Sequence, residues 1–237
     1  MSKFVKLHDP PENQLLAALP AEERERLAPH LEQITFSLGD VIYESGGHLD
    51  YAYFPTDSTV SLIYILENGI SAEIGLVGYE GVVGIALFMG GETMPNRAVV
   101  QSAGSALRLN ARAMRAEFMR GRMFQQLLLR YMQVFFTQVS TISACNRLHS
   151  VEQQLCCTLL LSHDRARSNK LMMTHDLIAN MLVVQRKGIT MAAGRLQERG
   201  LISYVRGTIT ILDRQGLEQA VCECYRVVKD EYDRLLG

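Results

Sequence analysis

A cluster of anion-binding side chains lies inside the stretch THDLIANMLVVQRKGITMAAGRLQERGLI, residues 174–202. Gln185, Arg186 and Lys187 follow one short helical pattern and open a second one. A helix N-terminus carries partial positive charge and normally favours Asp or Glu in its first turn. A basic first turn is favourable only against an anion, so we expect this cluster to contact a negatively charged partner.

Two short amphipathic helices position this cluster. Thr174 is a good N-cap for the first helix, and the small side chain of Ala179 lets a second helix approach closely. This pattern is typical of a helix-turn-helix, which directs the start of its second helix into the major groove of DNA. There, Arg and Lys can hydrogen-bond to guanine, while Gln, Thr and backbone N–H groups hold phosphates. The expected buried residues are Leu177, Ile178, Met181, Leu182, Ile189, Ala192 or Ala193, and Leu196, and the expected solvent-facing ones are Gln185, Arg186, Lys187, Thr190, Met191 and Gly194.

A predicted β-hairpin follows the second helix in the stretch LISYVRGTITILD, with Arg206-Gly207 at its turn. On its own, the helix pair is equally consistent with two packed helices of an all-α subdomain whose Arg186 and Lys187 are solvated. A hairpin directly after the second helix indicates a winged helix, and it places Arg206 where it can contact a phosphate. The hairpin therefore favours the DNA-binding interpretation.

The N-terminal half predicts a different architecture. Residues 1–30 read as a helical lead-in, in which Pro20 opens a second helix. Residues 31–110 consist of short runs rich in Val, Ile, Tyr and Thr, separated by glycine-containing turns about every 8 to 12 residues, which predicts an antiparallel β-barrel of the jelly-roll type. The Asn68-Gly69 pair is the clearest hairpin signal in this region.

Helical periodicity returns after the barrel. Residues 111–146 predict one long helix, apolar on more than one side, which favours packing against a second copy of the chain over packing on the barrel alone. Ser150 and Gln153 have capping-box spacing, so we place the boundary of the winged helix-turn-helix, residues 147–237, just before them. Within it, 165–170 is expected to be a loop and 215–236 one terminal helix. The predicted class is α+β.

Charge and cysteine usage limit the remaining possibilities. The net charge is −1, but residues 31–110 hold nine acidic side chains against Arg97 and Arg108, so the basic surface is confined to the C-terminal part. The five cysteines include no CxxC pair, which indicates neither a disulfide framework nor a metal site. The sequence shows no signal peptide and no long apolar run, so we expect a cytoplasmic protein with no membrane contact.

The order of these parts resembles the Crp/Fnr family of bacterial transcription regulators, which includes the cyclic-AMP receptor protein. The most specific stretches are LGDVIYESG and VGIALFMGG in the barrel and residues 174–202. The resemblance implies a homodimer that binds a palindromic operator in duplex DNA, with the barrel as sensor of a small-molecule effector and RNA polymerase as a further partner. It makes Arg186, Lys187 and Met191 the base-reading residues and places Thr174, Gln185 and Gly188 near phosphates, beside Thr190 and Arg206.

Several residues depart from the family pattern. Lys187 stands where the cyclic-AMP receptor protein has an acidic residue, and Met191 replaces an arginine, so the operator is expected to differ. Val183 replaces the usual turn glycine; because a β-branched residue at positive φ costs about 1 kcal/mol or more, we expect a variant turn. Gly188, inside a helix, suggests close approach of another backbone.

The sensor pocket implied by the resemblance would involve Gly84, Ile85, Arg97 and Ala98. Ile85 occupies the position of the carboxylate that holds the ribose, and it cannot accept hydrogen bonds from hydroxyl groups. Standard cyclic-AMP binding is therefore not expected, and the effector is unidentified. Arg97 is at least as well explained by an ion pair with Glu80 or Glu92 on the barrel surface as by an anion site.

Other classes of function receive little support. No cysteine precedes Cys145, which excludes an iron–sulfur cluster held by N-terminal cysteines, and residues 31–110 contain one histidine, so no haem, cupin-type metal or other cofactor is expected. No Ser-His-Asp set, P-loop or dinucleotide fingerprint indicates an enzyme. The alternative that stays open is a protein-interaction module, in which the winged helix binds a protein partner and the barrel is a scaffold.

Overall fold

The computed structural model describes residues 13–166 and 168–237, so the first part of the predicted lead-in, residues 1–12, lies outside the described residues. The buried side chains form two hydrophobic cores, one in each half of the chain. The helices Met123–Leu148 and Glu223–Leu236 contribute to both cores and therefore join the two halves. Within these ranges, no helix is long and apolar enough to cross a membrane.

Short helices precede the barrel. Helices α1 (Gln14–Ala17) and α2 (Ala21–Leu27) are followed by one 3-10 turn, and Pro20 is the N-cap of α2, as the pattern predicts. The Asn13 side chain caps α1 and also donates to the carbonyl groups of Pro55 and Gly81, which fixes this segment on the barrel. Within the described part of the lead-in, four leucines are buried in the first core: Leu15, Leu16, Leu19 and Leu27.

Seven antiparallel strands build the barrel from two sheets, in the orders β1-β7-β3 and β2-β6-β4-β5. Residues Leu66–Ile70 connect β4 to β5; Gly69 has a φ of +82° and the Asn68 side chain accepts from the Ile70 N–H, which confirms the predicted hairpin. A short helix, α3 (Ala86–Met89), lies between β5 and β6. The strands are β1 Leu31–Phe36, β2 Val41–Tyr43, β3 Tyr51–Pro55, β4 Thr59–Ile65, β5 Ser71–Val77, β6 Arg97–Ser102 and β7 Gly104–Asn110.

The predicted single helix over 111–146 is wrong, since the chain forms two helices there. Helix α4 (Ala111–Phe118) ends before Gly121, whose φ is +71°, and helix α5 (Met123–Leu148) begins two residues later. The buried Glu23 carboxylate accepts hydrogen bonds from the N–H groups of Met123 and Phe124, so it acts as the N-terminal cap of α5. That cap lies a hundred residues away in the sequence, and no local pattern predicts it.

The C-terminal half begins with α6 (Val151–Arg165), which has the predicted capping box of Ser150 and Gln153. Strand β8 (Lys170–Met172) then pairs with β10 and supplies the third strand of a sheet ordered β8-β10-β9; it shares only Lys170 with the segment expected to be a loop, and the sequence pattern did not predict it. The strand is short because only three residues find a partner. The other elements are α7 His175–Leu182, α8 Arg186–Glu198, β9 Ile202–Val205 and β10 Thr208–Ile211. With the barrel, they confirm the predicted α+β class and the winged helix-turn-helix.

The terminal helix predicted over 215–236 is also interrupted. Helix α9 (Arg214–Ala220) ends at Val221, and helix α10 (Glu223–Leu236) begins after Cys222. Both Val221 and Cys222 are extended, with ψ values of 158° and 169°, so the helix cannot continue through them. Both cysteines of this region, Cys222 and Cys224, are thereby placed at the start of α10.

Candidate nucleic-acid interface

Helix α7 begins at Thr174, whose hydroxyl accepts from the Leu177 N–H at 3.1 Å, as the N-cap prediction requires. Its end is formed by Val183, which has φ 54° and ψ 46°. The Val184 N–H donates to the Ala179 carbonyl, which closes the last turn in the manner of a Schellman motif. The expected variant turn is therefore wrong: valine adopts the left-handed conformation that glycine adopts in the family pattern, because the closing hydrogen bond and the packing of α7 on α8 require it.

The two helices pack through the predicted faces. Ile178, Met181 and Leu182 of α7 are buried, whereas Leu177 is only half-buried. Ala179 is also buried, so the small side chain does lie between the helices. In α8 the side chains of Ile189, Ala192, Ala193 and Leu196 are buried. Of the residues that the pattern assigns to solvent, Gln185, Arg186, Lys187, Thr190 and Met191 are exposed, and only Gly194 is half-buried.

The first turn of α8 contains no acidic residue, and its N-cap, Gln185, makes no side-chain cap hydrogen bond. The N–H groups of Gly188 and Ile189 reach only the Gln185 carbonyl. Arg186 pairs with Asp176 of α7 across 3.2 Å, whereas Lys187 extends into solvent. The exposed start of α8 thus presents positive charge and the side-chain amide of Gln185, which caps no backbone N–H group, on one surface.

Basic residues at the other end of α8 are partly neutralised. Both Arg195 and Arg199 pair with Glu152 of α6, at 3.3 and 3.1 Å. One carboxylate shared by two guanidinium groups leaves a net charge of about +1, so this end is less available to an anionic partner than the first turn of α8.

The wing lies beside the start of α7. The turn between β9 and β10 has positive φ at both Arg206 (48°) and Gly207 (80°), which is the geometry of a tight two-residue hairpin. A Cβ atom on Gly207 would lie 3.2 Å from Cγ2 of Thr174, so the wing tip and the N-cap of α7 are neighbours. The structure therefore brings Arg206, Thr174 and the first turn of α8 into one region of the surface.

His175 connects the three parts of this region and was missed by the sequence reasoning. Its ring stacks on Tyr204 of β9 with centroids 4.0 Å apart, and its Nδ1 lies 3.1 Å from the Thr190 hydroxyl. Burial lowers the pKa of His175, and the nearby Arg186 lowers it further. A neutral imidazole at this point fixes α7 against both α8 and the wing. A histidine after an N-cap gives no sequence signal for such a contact.

The residues assigned to a sensor pocket have ordinary structural roles as well. Gly84 has a φ of +96°, and a Cβ there would lie 3.1 Å from the Tyr51 carbonyl oxygen, so this position requires glycine. Ile85 precedes α3 and packs against the barrel core, and Ala98 is fully buried in β6. Arg97 pairs with Glu44 at 3.0 Å.

The expected partners of Arg97, Glu80 and Glu92, are engaged elsewhere: Glu80 binds Arg165 and Glu92 binds Arg115. The prediction was wrong because Glu44 follows β2, which pairs with β6, the strand that carries Arg97.

Contacts between the barrel and the helix-turn-helix are direct. Residues 68–71 of the β4–β5 hairpin and residues 179–185 of α7 and the turn line a common groove. Farther inside, Arg165 of α6 donates from Nε to Glu80 at 2.8 Å and binds the Gln138 side chain of α5. Both ion-pair partners are buried, so the two halves share a fully enclosed charge pair.

Two protein-family profiles match the chain. Residues 33–120 match the cyclic nucleotide-binding domain, and residues 153–220 match the Crp-like helix-turn-helix domain. Together they account for more than half of the chain. No curated protein matched in a comparison of whole sequences.

Solved structures resemble the chain along most of its length. FixK2 from Bradyrhizobium japonicum superposes with a TM-score of 0.67 at 15% identity, covering 81% of this chain and 98% of its own. TTHB099, a CRP-family transcriptional regulator from Thermus thermophilus, gives 0.64 at 20% identity over 86% and 98%. The c-di-GMP responsive regulator CLP from Xanthomonas campestris gives 0.59 at 13% over 81% and 99%. At these identities the likeness shows a shared fold.

The order of the two matched domains agrees with the geometry described above, in which a barrel leads through a long helix to a winged helix-turn-helix with an exposed basic helix start. The chain belongs to the Crp/Fnr family of transcription regulators.

Proposed function

We propose that the protein binds palindromic duplex DNA as a homodimer and reads its sequence with the start of α8. The observation that carries this proposal is the exposed first turn of α8, which is basic and has no side-chain cap. Through Arg186 it pairs with the first turn of α7, whose N-cap lies beside the wing tip. A partner with a regular array of phosphates removes the electrostatic conflict of this turn. No catalytic role is proposed for any residue.

Individual roles follow from the positions of the side chains. Arg186 and Lys187 are long enough to reach base edges from a helix start that enters the major groove, and Met191 lies one turn farther along the same exposed face. To contact DNA, Arg186 must break its ion pair with Asp176. The phosphate contacts are assigned to Thr174, Gln185, Gly188, Thr190 and Arg206.

Gly188 is not required by packing within the chain. A Cβ there would make only ordinary contacts, 3.8 Å or more, with Val151. Its helix-propensity cost of about 1 kcal/mol is therefore explained by its place beside the DNA backbone. The same argument does not apply to Gly84, whose φ value demands glycine.

The dimer is assigned to α5. Leu129 and Phe136 are large, exposed, apolar and seven residues apart, so they lie on the same face of the helix. Phe135 and Tyr131, by contrast, are buried in the barrel core. A twin copy of the helix would cover the exposed face, and two copies of α8 would then address two half-sites about one helical turn of DNA apart.

The barrel, residues 31–110, is assigned as the sensor of a small molecule that the sequence does not identify. Ile85 offers no hydrogen-bond acceptor for a ribose, which argues against cyclic AMP bound in the standard mode. The proposed route from the barrel to DNA runs through the contact of β5 with α7, beside the groove shared by the β4–β5 hairpin and the turn at Val183. By family membership, RNA polymerase is the further partner that we propose.

Salt dependence of binding tests this function. A labelled random duplex is titrated with the full chain at several salt concentrations, and fluorescence anisotropy gives the affinity. We expect the logarithm of the affinity to fall steeply with the logarithm of salt, with a slope that becomes shallower by about one for Arg206→Ala but not for Arg226→Ala on the exposed side of α10. Absence of duplex binding at low salt would support the protein-interaction module instead.

A further inference from the structure

Three of the five cysteines meet one histidine at the junction of the two halves. Cys145 lies near the end of α5, and His149 is the first residue after this helix. Cys222 and Cys224 lie at the start of α10. One sulfur or nitrogen atom of each side chain lies within 4.8 Å of all the others. The spacing of the cysteines does not predict this cluster, because Cys145 and Cys222 are 77 residues apart in the sequence.

Two of the six distances within the cluster are close to those of a tetrahedral ligand set, and none exceeds 4.8 Å. Zinc bonds of about 2.3 Å to sulfur and about 2.0 Å to nitrogen place two sulfur ligands about 3.8 Å apart and a sulfur and a nitrogen about 3.6 Å apart. The Sγ atoms of Cys145 and Cys222 are 3.5 Å apart, and Sγ of Cys224 is 3.6 Å from Nδ1 of His149. The side chains would need to move little to surround an ion.

The two helix ends explain why these side chains converge. Cys145 and His149 are four residues apart, so they stand on the same side of α5. Cys222 is the N-cap of α10 and Cys224 occupies its first turn. The interruption between α9 and α10 is what directs this pair of sulfurs toward α5.

The outer side of the histidine is also arranged as in metal sites. Nδ1 of His149 faces Cys224, while Nε2 lies 3.5 Å from the Glu223 carboxylate. Metal-bound histidines usually donate their second ring N–H to a carboxylate, which fixes the ring and the tautomer. Glu223 therefore selects Nδ1 as the metal-binding atom.

We propose that Cys145, His149, Cys222 and Cys224 form a Cys3His site for a tetrahedral thiophilic cation, with Zn²⁺ as the ion. Four protein ligands leave no open position, which is typical of a structural site and not of a catalytic one. His149 belongs to the link between α5 and α6, so a bound ion would fasten this link to α10 and fix the orientation of the helix-turn-helix relative to α5. The site is independent of the DNA-binding surface.

Metal content of the full chain tests the site directly. Protein produced in zinc-containing medium and freed of loosely bound metal should contain about one zinc per chain by mass spectrometry of the elements. Protein loaded with Co²⁺ should show the absorption of tetrahedral cobalt together with thiolate-to-cobalt charge transfer. Reduced, metal-free protein that takes up neither ion, or that in air forms a Cys145–Cys222 disulfide even when zinc is present, would overturn the proposal.

Variants assign the ligands. Cys222→Ser should reduce the zinc content to less than about a tenth of the wild-type value, since one of four ligands is lost. Cys156→Ser is the matched control. Cys156, on α6, is buried like Cys222 but lies outside the cluster, so this variant should retain the metal. Cys224→His keeps a ligand atom and should bind Co²⁺ with a shifted spectrum, even if Cys222→Ser folds poorly. Equal metal content in Cys222→Ser and Cys156→Ser, or an unshifted spectrum of Cys224→His, would contradict the assignment.

Discussion

The Nε atom of Arg186 lies 3.2 Å from Oδ1 of Asp176, so the first basic residue of α8 is tied to the first turn of α7. Both side chains are exposed, at 68% and 64%. Exposed pairs of this kind contribute about 0.2 to 1 kcal/mol, which DNA can readily replace. With α8 docked on DNA as we propose, Asp176 is expected to lower the affinity for DNA in two ways, by holding Arg186 and by repelling phosphates.

Replacing Asp176 by Asn should strengthen binding to duplex DNA of any sequence by up to about fivefold at low salt, which corresponds to about 1 kcal/mol. Anisotropy titration of wild type and variant on one random duplex measures the ratio. Asp230→Asn, an exposed residue of α10, is the control and should change affinity far less. If the two variants behave alike, Arg186 does not lie at the DNA surface.

Val183 carries backbone strain in the turn between α7 and α8. A β-branched residue in the left-handed region costs about 1 to 2 kcal/mol, and its side chain is 57% exposed, so little burial offsets that cost. Glycine removes the strain, but its greater conformational freedom in the unfolded chain destabilises the folded protein by about 0.5 to 1 kcal/mol. Val183→Gly should therefore raise the free energy of unfolding by up to about 1 kcal/mol, seen as a higher urea midpoint.

The same substitution at Val205 gives the matched control. Val205 is an exposed residue of strand β9 with extended backbone, where glycine weakens a strand. Val205→Gly should lower the urea midpoint while Val183→Gly raises it. A decrease for both variants would mean that the turn is not strained.

Sequence patterns predicted the elements whose signals are local. The two apolar faces of α7 and α8, the wing around Arg206-Gly207 and the barrel hairpin at Asn68-Gly69 each have a period or turn signature of a few residues, and each was found. The exposed cluster at Gln185 to Lys187 followed from helical phase alone. Which bases and phosphates these residues contact stays a prediction.

The features that were missed depend on residues distant in sequence. The Glu23 carboxylate caps the start of α5 after the break from α4. Strand β8 forms by pairing with β10. Arg97 meets Glu44 only because β2 and β6 are neighbours. At Val183 the tertiary packing of two helices outweighs the residue's conformational preference. In each case a long-range contact decided a local conformation.

The buried pair of Glu80 and Arg165 should be important for stability. Their side chains are 8% and 4% exposed, and removing one partner leaves an unpaired buried charge at a cost of about 3 to 5 kcal/mol. Arg165→Met should therefore lower the free energy of unfolding by that amount, while the double variant with Glu80→Leu recovers most of it. Chemical denaturation followed by circular dichroism measures both.

The exposed pair of Arg115 and Glu92 serves as a control for that experiment. Arg115→Met should cost less than about 1 kcal/mol because both charges stay hydrated. An equally small effect of Arg165→Met would show that the pair does not hold the barrel to α6.

Glu73 of β5 predicts a pH dependence of stability. Burial raises the pKa of Glu73 from 4.5 to about 7, although the Ser61 hydroxyl, which donates to the carboxylate at 2.5 Å, and Arg165 oppose the rise. The folded chain then keeps a proton that the unfolded chain has released. The contribution of Glu73 to the free energy of unfolding should be largest below about pH 4.5 and fall as pH rises to about 7, by up to about 3 kcal/mol.

Glu73→Gln should remove this dependence. Urea titrations at pH 5 and pH 8 give the free energy of unfolding of variant and wild type. Relative to the wild type, the variant should be more stable at pH 8 than at pH 5. Glu67→Gln in the exposed β4–β5 connection should show no such trend. A difference that does not vary with pH would place Glu73 in solvent.

Selection of binding sites from a random duplex pool tests the central claim, that the start of α8 reads operator DNA in a dimer, most directly. The wild-type chain should enrich an inverted repeat with half-sites about 10 base pairs apart. Arg186→Ala should enrich the same repeat with one position per half-site relaxed, at a cost of about 1 to 3 kcal/mol on the wild-type site. Enrichment of no motif, or of one that Arg186→Ala reproduces unchanged, would contradict the account.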